Sequence, residues 1–370
     1  MEKIRKKVKT NGDVSHQESQ DHQTNINLNI QEDFQFLPVD PENLKEDFSM
    51  KTLNEIDSES VPDFIYVTEN LMLDEVAVYF ENAHKTFKNS IKTGSFQIVC
   101  DCKGSCNEDC ICARYNKQYL NKCPPYKLVK NSNHKVVQKE IIQEHIKPFS
   151  HIFECSKYCS CNKDLCTYQL LNWNRLRMVS EKDLIVKRYR KCFKGTNEEI
   201  VMWGLMSTKR IPNNTLVIEY LGEIIIKEEA DLRGKYYDKI GKNYLFDMTM
   251  AVEYKGENKS GPIFCIDNYM KCRKTEEKEK LLKDFPLCID GYYYGNLSRF
   301  INHSCDPNLQ VLSIHVENRE ILLPRVVLFS TREIKAGEEL TFDYNCYPLS
   351  TDKELKCACG AESCRGVIYN

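Results

Sequence analysis

No stretch of this 370-residue chain approaches 18 consecutive apolar residues, which excludes a helix that spans a bilayer, and no membrane association is expected. Charge of one sign is missing too: 52 basic side chains face 54 acidic ones, a formal net charge of −2. Proteins that coat DNA through its phosphates carry a large positive surplus, so neither coating nor sequence-specific DNA binding is expected. The basic start, Met1–Thr10, has no apolar core after it and is not read as a secretory signal. Residues 1–52 contain only three aromatics, Phe34, Phe36 and Phe48, among many asparagines and glutamines. Such a segment buries too little apolar surface to fold and is expected to be a disordered polar tail. Lys3, Arg5, Lys6, Lys7 and Lys9 within it read either as a nuclear-import signal or as a solvated charge run.

What the chain has in quantity is cysteine, 19 residues of it. Nothing directs the chain to an oxidising compartment, so metal is the expected use. Nine cysteines form two tight runs: Cys100, Cys102, Cys106, Cys110 and Cys112, then Cys155, Cys159, Cys161 and Cys166, with Cys123 alone between them. Nine thiolates do not divide into separate tetrahedral four-cysteine sites. Three zinc ions need twelve bonds, and nine sulfurs supply them if three sulfurs bridge. The alternative is two ordinary sites and a spare thiol, which the close C-x-C pairs fit less well. A third run, Cys357, Cys359 and Cys364, is one ligand short. Cys346 is nearest in sequence; Cys305 is the other candidate. Cys123, Cys192, Cys265, Cys272, Cys288 and Cys346 are left as free thiols.

Between the cysteine blocks the text is that of short strands. Leu216–Tyr220 and Val326–Phe329 are β-rich and bounded by Asn, Gly and Pro. Ile226–Ile240 carries a helical period, the lysine-rich Lys127–Lys147 is compatible with helix, and the charged Lys271–Lys283 reads as a surface helix or loop. Cys-Ile-Asp occurs at Cys265–Asp267 and again at Cys288–Asp290, too short an echo for a structural repeat.

Two segments carry a resemblance. Asn302-His303-Ser304-Cys305-Asp306-Pro307-Asn308 and Gly337-Glu338-Glu339-Leu340-Thr341-Phe342-Asp343-Tyr344 resemble the signatures of SET-domain lysine methyltransferases. The nine-cysteine block resembles their pre-SET domain, Cys357–Gly366 their post-SET, and Leu53–Asp57 with Pro62–Tyr66 the segment leading in. Among these enzymes the chain is most similar to the heterochromatin type that methylates lysine 9 of histone H3. The resemblance implies a mainly β fold with some α, small sheets and a knot-like C-terminal threading. It implies a tail over 1–52, a lead-in over 53–97, pre-SET over 98–172, SET over 173–346 with an insertion within 252–285, and post-SET over 353–370. It also implies zinc, three ions in the pre-SET and one in the post-SET, with Cys305 completing the set of Cys357, Cys359 and Cys364.

The activity implied is transfer of methyl groups from S-adenosylmethionine to a histone lysine, in the nucleus on chromatin, with heterochromatin formation and gene silencing as the outcome. A catalytically weak SET-fold scaffold, or a methyltransferase of a non-histone lysine, are the alternatives. By resemblance Tyr344 is the catalytic tyrosine, assisted by Tyr244, and Phe342 sets the number of methyls; read without the family, Tyr344 is a core tyrosine. A tyrosine hydroxyl at Phe342 would obstruct rotation of a methylated amine, so phenylalanine implies di- and trimethylation. The cofactor is expected at Met202, Trp203, Gly204, Tyr244, Arg299, Asn302 and His303. Where relatives have Gly-Trp-Gly this chain has Met202-Trp203-Gly204, tolerable unless the lost glycine needed positive φ. Thr167-Tyr168 also departs from the usual Asn-Arg. Residues 1–52 are too short and polar for a chromodomain, so the expected partners are the histone H3 tail or nucleosome and recruiting heterochromatin adaptor proteins.

Overall fold

The computed structural model describes residues 50–72, 99–117, 120–146, 151–171, 179–240, 244–248, 287–316, 324–344 and 355–368. Nearly all of the polar tail, the insertion 252–285, the Lys271–Lys283 stretch, the first Cys-Ile-Asp copy, and Cys265, Cys272 and Cys346 lie outside them. Every described residue belongs to one compact unit, Lys45–Asn370.

Three short strands precede the first cysteine: β1 (Thr52–Asn54), β2 (Ile65–Tyr66) and β3 (Leu71–Met72). None pairs with another. Each adds in parallel to an edge made much later in the chain, Thr52 opposite Val186, Ile65 opposite Tyr294 and Leu71 opposite Glu223. The lead-in segment is thus a strap across three sheets. In the cysteine block, α1 (Ile111–Asn116) starts at Cys110, whose sulfur accepts from Ala113 N at 3.4 Å. Buried Asn116 donates to Cys112 O at 2.9 Å and Phe153 O at 2.8 Å, tying α1 to the strand β6 (His151–Phe153).

The lysine-rich stretch read as helix-compatible is instead a hairpin, β4 (Tyr126–Lys130) and β5 (Val136–Ile141), followed by one 3-10 turn at Gln143–His145. Lysine favours helix only weakly, and here packing outweighs it. Tyr126 and Ile141 pair across the hairpin and are fully buried. Lys139 turns inward and donates to the carbonyls of Cys166 at 2.8 Å and Gln169 at 2.9 Å.

Beyond the block, β7 (Leu184–Cys192) and β8 (Glu199–Ser207) form a nine-residue antiparallel pair. Leu184, Val186 and Arg188 alternate inward with period two, as a half-buried strand requires. β9 (Leu216–Glu219) is buried throughout, although it ends its sheet, because the large apolar core takes in Val217 and Ile218 and the second core Leu216. After β10 (Glu223–Ile226), helix α2 (Lys227–Lys239) occupies the region where the helical period was read. Glu228 and Glu229 in its first turn complement the helix dipole. Arg233 pins it to the sheet through Glu223 at 2.6 Å and Asp290 at 2.8 Å.

The remaining strands are β11 (Leu245–Asp247), β12 (Leu287–Asp290, with the second Cys-Ile-Asp), β13 (Tyr294–Gly295), β14 (Asn302–His303), β15 (Leu309–His315), β16 (Arg325–Ser330) and β17 (Thr341–Phe342). They make two four-stranded sheets, β11-β12-β10-β3 and β6-β15-β16-β9, as expected of a mainly β fold of small sheets. One large apolar core lies among β7 to β12 and β15 to β17; a second, from Tyr126 and Ile152 to Leu312 and Phe329, joins the cysteine block to β15 and β16. The pairing that matters for chemistry is the smallest. β14 and β17 run parallel, with Asn302 opposite Thr341 and His303 opposite Phe342, so the two signature segments lie side by side.

Candidate functional site

Around the β14–β17 pair the structure gathers most of the expected residues. Tyr344 N donates to His303 Nδ1 at 3.1 Å, and the Tyr344 hydroxyl donates to Ile301 O at 2.9 Å. Because Nδ1 accepts that N–H, the proton of the neutral imidazole sits on Nε2, which lies 3.4 Å from the Cys305 sulfur. Burial holds the His303 pKa below the ordinary histidine value. The Tyr344 ring packs 4.8 Å from Phe342, which in turn lies 6.3 Å from Phe246. Tyr220 continues this aromatic row at 5.3 Å from Phe246. The row suits an aliphatic side chain whose amine must be shed of its proton, because an apolar lining disfavours an ammonium.

Trp203 and Gly204 lie on β8 beside Asn302, whose Nδ2 donates to Trp203 O at 2.9 Å. Gly204 is required here: a Cβ would come within 2.7 Å of the Tyr189 ring and 3.0 Å of Asn302 Nδ2. Gly204→Ala is expected to force both side chains back, lowering stability by about 1–3 kcal/mol and weakening cofactor binding, as thermal melting and titration would record. Met202 sits in regular strand opposite Tyr189 and does not have positive φ, so its replacement of the usual glycine carries no backbone strain. The indole Nε1 of Trp203 is buried without a hydrogen-bond partner. The unpartnered indole N–H of Trp203 and the polar Asn302 amide beside the close-packed Gly204 supply the donor and acceptor chemistry that would hold S-adenosylmethionine.

Arg299 lies elsewhere than beside Asn302. Its guanidinium is held between Phe64 and Tyr244, 4.4 and 4.5 Å from the ring centroids, and donates to Gly291 O and Tyr292 O, both at 2.9 Å. It fixes the Tyr244 ring, which packs on Tyr292. Arg188 and its acidic partners were not anticipated. Arg188 sits 5.4 Å from the Trp203 ring and is clamped by Asp57 at 2.8 Å and Glu59 at 2.5 Å. That hydrogen bond from Arg188 draws the Asp57 carboxyl down to about 2. The lead-in strap therefore braces the back of the cleft, a role that no local pattern could disclose.

The cysteines gather into sets. Cys100, Cys112, Cys155 and Cys159 form one, Cys100, Cys106, Cys155 and Cys161 another, and Cys102, Cys106 and Cys110 a third, all sulfurs of each within 4.8 Å of one another. Cys166 lies 3.6 Å from Cys106 and 3.7 Å from Cys155. Four thiolates around one zinc at 2.3 Å stand about 3.8 Å apart; the pairs here span 3.5 to 3.8 Å. Cys100, Cys106 and Cys155 are the shared members, which fits three bridging sulfurs. The terminal pairs are then Cys112 with Cys159, Cys161 with Cys166, and Cys102 with Cys110. A hydrogen bond from Cys100 draws Cys112 down to about 3, while neighbouring thiols, Cys100 first, push Cys106 and Cys155 far up. Sulfurs so crowded ionise together only around cations, and zinc supplies them. Cys123 is in none of the sets; it packs between this cluster and the second core, near Tyr168.

Cys305, Cys357, Cys359 and Cys364 form a separate four-sulfur set that fits one zinc. Arg365, next to the last of them, makes a two-pronged pair with Asp343 at 2.9 Å. The C-terminal segment is thus fastened to the signature that ends in Tyr344.

Comparison with known proteins places this geometry. The SET domain matches residues 202–345, and the Pre-SET motif residues 42–169. The chain is 31% identical over 321 residues to histone-lysine N-methyltransferase SUV39H2 of Xenopus tropicalis, covering 82% of this chain and 63% of that protein. It is 30% identical over 334 residues to Su(var)3-9 of Drosophila melanogaster, covering 86% and 43%. The chain therefore spans roughly half to two thirds of the length of these relatives. Its fold is similar to that of KRYPTONITE, crystallised with DNA, an H3(1-15) peptide and SAH: TM-score 0.52, 24% identity, covering 86% of this chain and 51% of that one.

Proposed function

The chain belongs to the SET-domain family, in the branch that carries a Pre-SET motif, and from that premise we propose that it is a histone-lysine N-methyltransferase acting on lysine 9 of histone H3. The observation that carries the proposal is the parallel β14–β17 pair, which sets Tyr344, His303, Asn302 and the Trp203 carbonyl around one cleft. S-adenosylmethionine supplies the methyl group on its sulfonium. The work left to the protein is to present a neutral amine in line with that group.

A free lysine of pKa near 10.4 costs about 3 kcal/mol to neutralise at pH 8. The row of Tyr220, Phe246, Phe342 and Tyr344 lowers that cost by desolvating the ammonium. Tyr344, its hydroxyl turned to Ile301 O, has an oxygen with lone pairs to orient the amine. Tyr244 is held in place by Arg299 and packs on Tyr292. Among the described residues β11, which carries Phe246, is the end strand of the β11-β12-β10-β3 sheet. An extended tail adding there as a strand delivers its lysine into the aromatic row. Exposed Asp247 on that edge suits a basic tail. The division proposed is pre-SET over 98–172, SET over 173–346 and post-SET over 353–370, and the setting is nuclear chromatin, with adaptor proteins recruiting the enzyme.

Incubating the zinc-loaded protein with S-adenosylmethionine and an H3-tail peptide, followed by mass spectrometry, tests this. The expected result is up to three methyl increments on lysine 9, and none on a peptide with that lysine replaced. In the same assay Phe342→Tyr is expected to stop mainly at one methyl, because the added hydroxyl occupies the space into which a methylated amine rotates. No increments on any peptide would overturn the reading.

A further inference from the structure

At the floor of the cleft lies a charged cluster that the reading above does not use. Glu339, in the second signature, accepts from Asn302 Nδ2 at 3.0 Å and from the Tyr189 hydroxyl. Its other oxygen is 2.6 Å from Lys191 Nζ, and both side chains are largely buried. Asn302 Nδ2 also lies 3.1 Å from the Tyr189 hydroxyl. The cluster is rigid. Glu339 bridges Met206 on β8, and Leu340 N donates to Leu205 O at 2.8 Å. The Tyr189 ring stands against Gly204.

The chemistry of these groups decides how the Asn302 amide sits. Three atoms face one end of it: the Trp203 carbonyl, the Glu339 carboxylate and the Tyr189 oxygen. A carbonyl and an ionised carboxylate only accept. The Tyr189 proton is already given to Glu339, and burial with the nearby carboxylate raises the phenol pKa well above its ordinary range, so it stays a donor. All three present lone pairs to Asn302. Only the NH2 end can face them, since a flipped amide would set its oxygen against three acceptors. The carboxamide oxygen is therefore turned to the open side of the cleft, where among the described residues it accepts no hydrogen bond.

We propose that Glu339 and Tyr189 are positioning residues that lock the Asn302 carboxamide oxygen outward, so that the cleft selects a cofactor carrying a hydrogen-bond donor there, the α-ammonium of an amino-acid tail. The inference rests on the methyltransferase reading. Lys191 belongs to the device because its ammonium, 2.6 Å from the other Glu339 oxygen, holds the carboxylate in place.

The test is calorimetric titration of full-length, zinc-loaded protein with S-adenosylhomocysteine, which has the amino-acid tail, and with methylthioadenosine, which lacks it. In Glu339→Gln the new side chain can donate as well as accept, and the amide is free to turn. Loss of a charge-assisted hydrogen bond predicts about tenfold weaker binding of S-adenosylhomocysteine, with methylthioadenosine affinity kept within about twofold. Tyr189→Phe is expected to act in the same direction by a smaller factor, and it covers the case in which Glu339→Gln does not fold. A structural brace would weaken both ligands alike, and that result, or no change for either ligand, would overturn the proposal. A wild-type protein that binds neither ligand would overturn the methyltransferase reading and this inference with it.

Discussion

Tyr344→Phe is expected to cut methyl transfer by about 10²–10³-fold, the usual loss when one preorganised polar group at a reacting centre is removed, while the protein stays folded. The two effects separate because of what the ring and the hydroxyl each do. The ring fills space against Phe342 at 4.8 Å and His303 at 5.4 Å, and phenylalanine fills it equally. The main-chain bond from Tyr344 N to His303 Nδ1 does not involve the side chain and persists. Only the hydroxyl bond to Ile301 O is lost, a net contribution of about 1 kcal/mol to stability. What disappears with it is the hydroxyl oxygen proposed to orient the amine at the end of the aromatic row. Initial rates with an H3 peptide, set beside a melting curve, check both halves. A variant that keeps most of its rate would move the catalytic role to Tyr244.

How much of this was legible in the sequence follows from the kind of signal each feature leaves. Zinc ligands are written in composition and spacing, so nine cysteines implied three bridging sulfurs, and Cys100, Cys106 and Cys155 are now the shared members. Cys305 came from the family resemblance, and it lies with Cys357, Cys359 and Cys364. The hairpin at Tyr126–Ile141 was hidden because its lysines suit a helix in isolation, while burial of Tyr126 and Ile141 decides in favour of strand. β1, β2 and β3, of two or three residues, are too short to carry a period and exist only because later strands offer an edge. Arg299, expected at the cofactor by resemblance, has its side chain between Phe64 and Tyr244, an arrangement that its place in the sequence does not disclose. Arg188 and Glu339 act across more than 100 and 30 residues of sequence respectively, and no local pattern announces such partners.

Removing zinc is expected to have the largest effect on the fold, and the two centres should fail differently. A structural zinc site contributes about 10–16 kcal/mol of apparent binding free energy, as much as or more than the whole stability of an ordinary domain, about 5–15 kcal/mol. Cys106→Ser removes a sulfur shared by two ions, so the cluster is expected to lose all three and the cysteine block to unfold with it. The damage spreads because Lys139 and Asn116 hang on carbonyls of that block, and β6, the strand Asn116 grips, is an edge of the β6-β15-β16-β9 sheet. Cys305→Ser should instead cost one zinc, leave three, and lower the melting temperature little. Its loss is nonetheless expected to abolish turnover. Cys305 is 3.4 Å from His303 Nε2, and the tail it anchors carries Arg365 to Asp343, so the segment bearing Tyr344 loses these two restraints together. Metal counting by mass spectrometry, with melting curves and rates on the same samples, distinguishes the two. Equal zinc loss from both variants would mean that the centres are coupled, and the cluster would then be part of the catalytic apparatus as well as its support.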